Sequence, residues 1–123
     1  MSTSDGKSRS SRGAFAESLA VDYIEARGYR ILERNYRCER GEIDIIALDN
    51  AILCFVEVRS FGHHDFGDPL ETISRQKIAR IGVAARDYIS NVPEPWPEMR
   101  FDAVGIVLVD PPEIRLIKGA FEL

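Results

Sequence analysis

The sequence predicts an α/β domain built on a mixed central sheet with helices packed on it. Two stretches, near residues 13–27 and 68–91, have the apolar spacing of amphipathic helices. Between them, residues 41–59 hold two runs rich in Ile, Val, Leu and Phe, and both faces of this hairpin are largely apolar. Such a hairpin belongs at the centre of a layered domain. A chain of 123 residues suffices for one domain with a real core.

The N-terminal part is predicted to be a tail followed by a helix. Residues 1–12 are Ser-rich and lack apolar anchors, so we expect a disordered tail ahead of a single domain over residues 13–123. The helix should end at Gly28, because glycine is usual just past a helix C-terminus. Its apolar stripe is formed by Phe15, Leu19 and Tyr23, with Ala16, Ala20 and Ile24 beside them.

The remaining elements follow from strand composition and turn signals. The hairpin turn is expected at Asp49-Asn50, since Asp and Asn tolerate the positive φ of tight turns. Asp68-Pro69 has the sequence of an N-cap and first helical residue. The predicted order is a strand over 29–37, the hairpin over 41–59, a loop over 60–68 containing His63-His64, a helix over 68–91, a strand over 100–109 and a short strand over 113–118.

Composition excludes several classes of protein. No apolar run approaches the roughly 20 residues that span a bilayer, and the N-terminus lacks a signal-peptide core, so no membrane association is expected. The two cysteines do not make a disulfide framework, so we expect free thiols and a cytoplasmic protein. The formal net charge of −4 argues against a protein that coats nucleic acid nonspecifically.

The cations are nevertheless unevenly placed. Thirteen of the sixteen are Arg, and guanidinium suits bidentate contact with phosphate. They crowd two spans, Arg27–Arg40 and Arg75–Arg86. A solvated surface of mixed charge explains them equally well. The candidate nucleic-acid-binding residues are Arg34, Arg37, Arg40, Arg75 and Arg80.

The hairpin also carries a group of charged side chains. With a turn at Asp49-Asn50, alternation along the strands places four of them on one side: Glu42, Asp44, Glu57 and Arg59. Asp44 and Glu57 then become diagonal neighbours on adjacent strands, with about 7–8 Å between their backbones and less between their side chains. Two carboxylates on a covered hairpin are costly to bury unless a cation neutralises them. Mg²⁺ or Mn²⁺ suits such an oxygen-rich set, and a salt bridge to Arg59 or another arginine is the alternative.

These residues carry a resemblance. Asp44, a hairpin and Glu57-Val58-Arg59 resemble the Asp…Glu-x-Lys core of the PD-(D/E)xK nuclease superfamily. More closely, the set resembles the YraN-like family, which is itself similar to archaeal Holliday junction resolvases. The four motifs that carry this, within about residues 13–101, are Ala16-Glu17, Gly41-Glu42-Ile43-Asp44, Phe55-Val56-Glu57-Val58 and Arg100-Phe101-Asp102. The resemblance implies a restriction-endonuclease-like (resolvase-like) α-β-β-β-α-β core.

It also implies a function. The implied activity is Mg²⁺- or Mn²⁺-dependent endonucleolytic cleavage of DNA phosphodiester bonds, with branched or structured DNA as a substrate. Because resolvase-like relatives act as dimers, a homodimer is also compatible with the resemblance. The alternative is a nucleic-acid-binding module that keeps the nuclease fold and has lost efficient catalysis. The implied metal ligands are Glu17, Asp44, Glu57 and the backbone carbonyl of Val58. The implied catalytic residues are Asp44, Glu57, Arg59 and Lys77.

Two of these positions are special. Arg59 stands where the superfamily usually has lysine; its guanidinium can stabilise developing charge, but it cannot act as a base, because it does not deprotonate in proteins. Lys77 lies within the apolar stripe of the second predicted helix, where the YraN-like pattern also has a lysine. It either snorkels to solvent or reaches across to the hairpin carboxylates.

Overall fold

The computed structural model describes residues 4–62 and 72–123, with side chains from Gly13 onward. In these residues the chain forms two helices and five strands, in the order that the sequence predicts. The elements are α1 (Ser4–Glu25), β1 (Tyr29–Cys38), β2 (Gly41–Asp49), β3 (Ile52–Phe61), α2 (Arg75–Ile89), β4 (Met99–Val107) and β5 (Glu113–Ile117). In this part of the chain, neither helix combines the length and the apolarity that crossing a bilayer requires.

The five strands form one open mixed sheet in the order β1-β2-β3-β4-β5. The first three strands are antiparallel neighbours, β4 runs parallel to β3, and β5 is antiparallel to β4. A parallel pair needs a crossover connection, and α2 lies within the one between β3 and β4. The mixed α/β architecture predicted from the sequence is therefore confirmed.

The two helices cover opposite faces of the sheet, so the central hairpin is buried on both sides. On one face, Ala16, Ala20 and Ile24 of α1 belong to a core that includes Ile45 and Val56. On the other, Ile81 and Ala84 of α2 pack in a core with Ile46 and Phe55. The buried stripe of α1 is thus the Ala16 line. Phe15, predicted on the apolar stripe, is 56% exposed, since the side of α1 that carries Ala16, Ala20 and Ile24 faces the sheet.

The boundaries of both helices differ from the predicted ones. The first begins at Ser4, ahead of the predicted start at Gly13. The second begins at Arg75, where the Ser74 side chain accepts a hydrogen bond from the Lys77 backbone N–H at 3.1 Å and caps the helix. The start predicted at Asp68 and the pair His63-His64 lie outside the described residues. The division of the chain at residue 13 stays a prediction.

The hairpin turn lies one residue later than predicted, at Asn50-Ala51, since Asp49 pairs with Ile52. Asn50 has a φ of 56°, which an asparagine tolerates in a tight turn. Asp49 is instead held by ion pairs to Arg100 at 2.8 Å and Lys118 at 3.1 Å. Each residue of β3 therefore pairs with a β2 residue two positions further along than predicted. A shift of two residues preserves the alternation of side chains, so in the middle of the strands they lie on the predicted faces.

A buried polar network joins the C-terminal segment to the sheet around Asp102. This carboxylate is fully buried. It accepts hydrogen bonds from the Tyr29 hydroxyl at 2.7 Å, the Arg100 Nε at 2.8 Å and the Gly119 backbone N–H at 2.9 Å. Burial raises the pKa of Asp102, but these donors outweigh it and the pKa lies below its usual value. The motif Arg100-Phe101-Asp102 therefore has a structural account here.

Gly41 sets the distance between α2 and the start of β2. A Cβ atom at this position would lie 2.5 Å from the Arg80 carbonyl oxygen and 2.6 Å from the Ala84 backbone nitrogen. Both obstacles are backbone atoms of the helix, which cannot move aside as a side chain can. The close approach fixes α2, and with it Lys77 and Arg80, over the hairpin.

We expect Gly41→Ala to destabilise the protein, because α2 must move away from β2 to admit the methyl group. Overpacking of this kind typically costs about 1–3 kcal/mol. Gly13→Ala is the control: nothing lies within 4 Å of its added Cβ, and alanine in a helix is favoured over glycine by roughly 0.5–1 kcal/mol. Urea denaturation of both variants checks this, and a Gly41→Ala protein as stable as wild type would contradict the close contact.

Candidate active site

The candidate site lies where β2 and β3 separate. The last paired residues of the two strands are Ile45 and Val56. One residue further on, the same register sets Asp44 opposite Glu57. Here the Asp44 side chain accepts the hydrogen bond that a backbone carbonyl would accept in a regular strand pair: its Oδ2 lies 2.8 Å from the donating Val58 N–H. A carboxylate therefore stands between the diverging strands.

An irregularity in β1 faces the same point. Asn35 has a φ of 55°, in the left-handed region that asparagine enters more readily than most residues. It lies between the pairs Arg34–Ile45 and Tyr36–Ile43, opposite Asp44. Strict alternation fails here: Ile45 belongs to the core under α1, whereas Ile43 belongs to the core under α2. This local distortion was not visible in the sequence pattern.

Strand alternation predicted that the four charged side chains of the hairpin lie on one face. In the structure they do not. Asp44 lines a cavity of about 410 Å³ beside Ala16 and Glu17 of α1. Glu42 and Glu57 instead meet Lys77 of α2. Asp44 lies between the cavity beside α1 and the carboxylates that meet α2, because its charge also acts on Glu57 and Lys77. The cavity brings together, of the predicted site residues, Glu17, Arg37, Asp44 and Val58.

Glu57 is the most deeply buried of these carboxylates, with 3% of its surface exposed. Its Oε2 lies 3.6 Å from the Arg59 Nη1 and 3.8 Å from the Lys77 Nζ. Its Oε1 is buried and has no hydrogen-bond partner among the described residues. Burial, and then the charge of Asp44, raises the pKa of Glu57 to about 8, although Lys77 and Arg59 oppose the shift. The folded protein therefore holds the Glu57 proton more tightly than the unfolded chain does.

Glu17 lies in the same cavity, but its carboxylate is already engaged. Its Oε1 accepts hydrogen bonds from the Asn35 Nδ2 at 2.9 Å and the Arg34 Nε at 3.2 Å. Burial raises the pKa of Glu17, as does the nearby charge of Asp44, while Arg34 lowers it. Arg34, predicted to bind nucleic acid, is thus paired with Glu17. Asn35 is the site residue that sequence reasoning missed, and an asparagine in mid-strand was its only signal.

Lys77 reaches across from α2 to the hairpin, which is the second of the two interpretations left open by the sequence. Its Nζ lies 2.7 Å from the Glu42 Oε2, and its side chain is only 19% exposed. Burial lowers the pKa of Lys77, but the hydrogen bond to Glu42 and the charges of Glu57 and Asp44 outweigh burial, and the pKa lies above its usual value. Lys77 is therefore a fixed positive charge at neutral pH.

Arg59 is held on its other side by the residues that lead into α2. Its Nε donates to the Thr72 hydroxyl at 3.2 Å, and its Nη2 donates to the Thr72 carbonyl at 3.2 Å. These contacts orient the guanidinium beside Glu57.

Three of the predicted arginines line a second depression, of about 390 Å³, around the β1–β2 turn: Arg37, Arg40 and Arg80. Arg37 lines both this depression and the carboxylate cavity. Arg75 is exposed at the first residue of α2. The guanidinium groups thus extend from the turn toward Asp44.

The carboxylates do not form a ready-made metal cage. In the described side chains, residues 13–62 and 72–123, no group of three or more His, Cys, Asp or Glu residues is arranged to hold a metal ion. Asp44 and Glu57 are close to each other, and the third predicted carboxylate, Glu17, is turned to Arg34 and Asn35.

Comparison with known proteins gives the family. The profile of the uncharacterised protein family UPF0102 matches residues 16–106. The chain belongs to UPF0102. Three UPF0102 proteins illustrate the similarity. The protein of Lachnoclostridium phytofermentans is 46% identical over 112 residues, which cover 89% of this chain and 92% of the relative. That of Persephonella marina is 43% identical over 112 residues, with 91% and 94% covered. That of Chlorobaculum parvum is 40% identical over 116 residues, with 89% and 90% covered.

The UPF0102 match confirms the YraN-like family predicted from the four motifs, all of which lie within the matched region.

The raised pKa of Glu57 gives this UPF0102 protein a pH-dependent stability when divalent metal is absent. The folded state holds a proton that the unfolded state loses near pH 4.5. Stability from this group is therefore present below about pH 4.5 and is lost as pH rises toward about 8. The loss is about 1.4 kcal/mol for each unit by which the two pKa values differ.

Glu57→Gln should remove this dependence, since the amide does not ionise. We expect the variant to gain stability relative to wild type steadily between pH 5 and 8, measured by urea denaturation in EDTA. The charged groups that act on Glu57, namely Asp44, Lys77 and Arg59, are unchanged in this comparison. Parallel stability profiles for the two proteins would contradict the burial of an ionisable Glu57.

Proposed function

We propose that this UPF0102 protein is a divalent-metal-dependent endonuclease that cleaves phosphodiester bonds of DNA on a restriction-endonuclease-like, resolvase-like core. One observation carries the proposal: the buried Glu57 carboxylate lies next to Asp44 and has one oxygen without a hydrogen-bond partner among the residues that the structure describes. Native proteins rarely leave a buried carboxylate oxygen without a partner, and carboxyl groups with strongly shifted pKa values cluster at functional sites.

The donor set fits Mg²⁺ or Mn²⁺. Glu57 offers the Oε1 that has no partner among the described side chains. Asp44 offers its carboxylate, and the Val58 backbone carbonyl is the third proposed ligand. All are oxygen atoms, which these cations prefer. A divalent cation would displace the proton from Glu57. It would also compensate the electrostatic repulsion between the Asp44 and Glu57 carboxylates, which raises the pKa of Glu57. Glu17, which lines the cavity together with Asp44 and Val58, is the proposed fourth ligand.

A bound cation supplies an activated water and neutralises the scissile phosphate. The chain's own cations do the rest. Lys77 remains protonated, so it serves as a hydrogen-bond donor to a phosphate oxygen and not as a base. Arg59, oriented by Thr72, offers a second donor on the same side of Glu57. Preorganised donors of this kind act where negative charge develops in the transition state.

The arginines support a polyanionic substrate. Arg37 lines both the carboxylate cavity and the depression at the β1–β2 turn, where Arg40 and Arg80 join it. A nucleic-acid backbone lying along these groups would pass Asp44 with its phosphates facing guanidinium. Branched or otherwise structured DNA is the proposed substrate, as the resolvase resemblance implies.

A binding module without efficient catalysis is the second candidate, and one observation favours it. Lys77 and Arg59 already lie within 4 Å of Glu57 and partly compensate a negative charge there without any metal. Arg59 also replaces the lysine of the nuclease motif. Both candidates use the same arginines, so only metal binding and strand cleavage separate them.

The first test concerns the metal. Mg²⁺ or Mn²⁺ should raise the melting temperature of wild type, because a ligand bound only by the folded state contributes about 2.7 kcal/mol at a hundredfold excess over Kd. Asp44→Asn should abolish the rise while keeping an acceptor for the Val58 N–H. Asp22→Asn, an exposed aspartate on α1, is the charge-matched control. An equal metal response in Asp44→Asn and wild type would refute the ligand assignment.

The second test concerns cleavage. Lys77→Ala should lower metal-dependent nicking of a four-way junction on the order of 10²–10³-fold, the usual loss for one preorganised donor. We expect Arg59→Ala to lose less and Arg59→Lys to retain activity. A linear duplex of the same sequence measures junction preference, and circular dichroism controls for folding. Junction binding without cleavage by wild type and by Arg59→Lys would establish the binding module instead.

A further inference from the structure

Glu42 has no role in the proposed chemistry, yet it makes the shortest ion pair of the site. It lies on β2, two residues before Asp44. Its Oε2 is 2.7 Å from the Lys77 Nζ, and its Oε1 is 3.9 Å from the Arg80 Nη2. Arg80 is half-exposed and its contact is long, so Lys77 is the principal partner.

The Lys77 ammonium therefore lies between two carboxylates. The same Nζ that is 2.7 Å from Glu42 is 3.8 Å from the Glu57 Oε2. Only the shorter distance is a hydrogen bond. An ammonium has three donors and a flexible stem, so its position is decided by the stronger acceptor. Without the charge of Glu42, the nearest described carboxylate is Glu57, which still has an unpartnered oxygen.

The backbone limits where else Lys77 can go. Gly41, the residue before Glu42, lets β2 contact the backbone of α2 directly at Arg80 and Ala84. The helix position is therefore fixed relative to the hairpin, and the base of the Lys77 side chain is fixed with it. Glu42 is on the strand that makes this contact, so the pair Glu42–Lys77 has a defined geometry.

We propose that Glu42 is a positioning residue that holds the Lys77 ammonium away from Glu57 and so leaves Glu57 open to a divalent cation. This inference rests on the proposed function. An ammonium and a divalent cation repel each other and compete for one carboxylate, so the cation binds well only while Lys77 has another partner. Held on Glu42, Lys77 remains at the edge of the site, where a phosphate oxygen can meet it.

The test compares Mn²⁺ affinity, measured by calorimetry, in four proteins: wild type, Glu42→Gln, Lys77→Met and the double variant. Glu42→Gln should weaken Mn²⁺ binding about tenfold, because Lys77 moves onto Glu57. Lys77→Met removes the competitor, so the double variant should bind as tightly as Lys77→Met alone. The two changes are therefore non-additive. Glu39→Gln, an exposed neighbour in the β1–β2 turn, controls for the loss of one negative charge near the site.

A metal-free measurement separates this inference from the proposed function. The ¹⁵Nζ NMR signal of Lys77, recorded in EDTA, should shift in Glu42→Gln and stay in place in Glu39→Gln. An unchanged Lys77 signal overturns the positioning role, as does a double variant that binds Mn²⁺ as weakly as Glu42→Gln. If wild type binds no Mn²⁺ while the Lys77 signal still responds, the proposed function fails, and with it the purpose assigned to Glu42, although the Glu42–Lys77 contact stands.

Discussion

The burial of the Glu57 carboxylate is the constraint on which the site depends. A charge in the middle of a sheet that is covered on both faces is costly unless other groups compensate it. Here Lys77 approaches from α2, Arg59 from the same strand and Asp44 from the neighbouring strand. The two cations lower the cost and Asp44 raises it. The balance raises the pKa of Glu57, and within residues 13–62 and 72–123 one of its oxygens has no hydrogen-bond partner.

Asp102 provides a comparison within the same sheet. It lies on β4, next to β3, and pairs in register with Val56, the residue before Glu57. Both carboxylates are buried, but Asp102 accepts hydrogen bonds from Tyr29, Arg100 and Gly119 and its pKa is lowered. A carboxylate satisfied in this way stabilises the fold and has no capacity left for a ligand. In the described part of the chain, the Oε1 of Glu57 has no such donor, and this difference distinguishes a candidate site from a structural network.

The backbone around the site shows how the arrangement is built. β2 and β3 separate after Ile45 and Val56, and the Asp44 side chain bonds the Val58 N–H that strand pairing leaves available. Asn35 of β1 has a left-handed backbone conformation, and its side-chain amide donates a hydrogen bond to Glu17. Gly41 lets α2 contact β2 so closely that Lys77 reaches the hairpin. Three local departures from regular structure therefore bring side chains from α1, the hairpin and α2 to one end of the sheet.

The sequence by itself determined the element order, the hairpin buried on both faces and the family, because these depend on apolar periodicity and on motifs that are local in the chain. It also identified Asp44 and Glu57 as neighbours, whereas for Lys77 it left open whether the side chain reaches them or extends to solvent. Only the tertiary structure decided the turn at Asn50-Ala51, since the ion pairs that hold Asp49 come from Arg100 and Lys118, which are distant in sequence. The pairing of Glu17 with Arg34 and Asn35, and of Lys77 with Glu42, was likewise decided there. Side-chain partners across a sheet depend on strand distortion and helix placement, and neither has a period that a sequence displays.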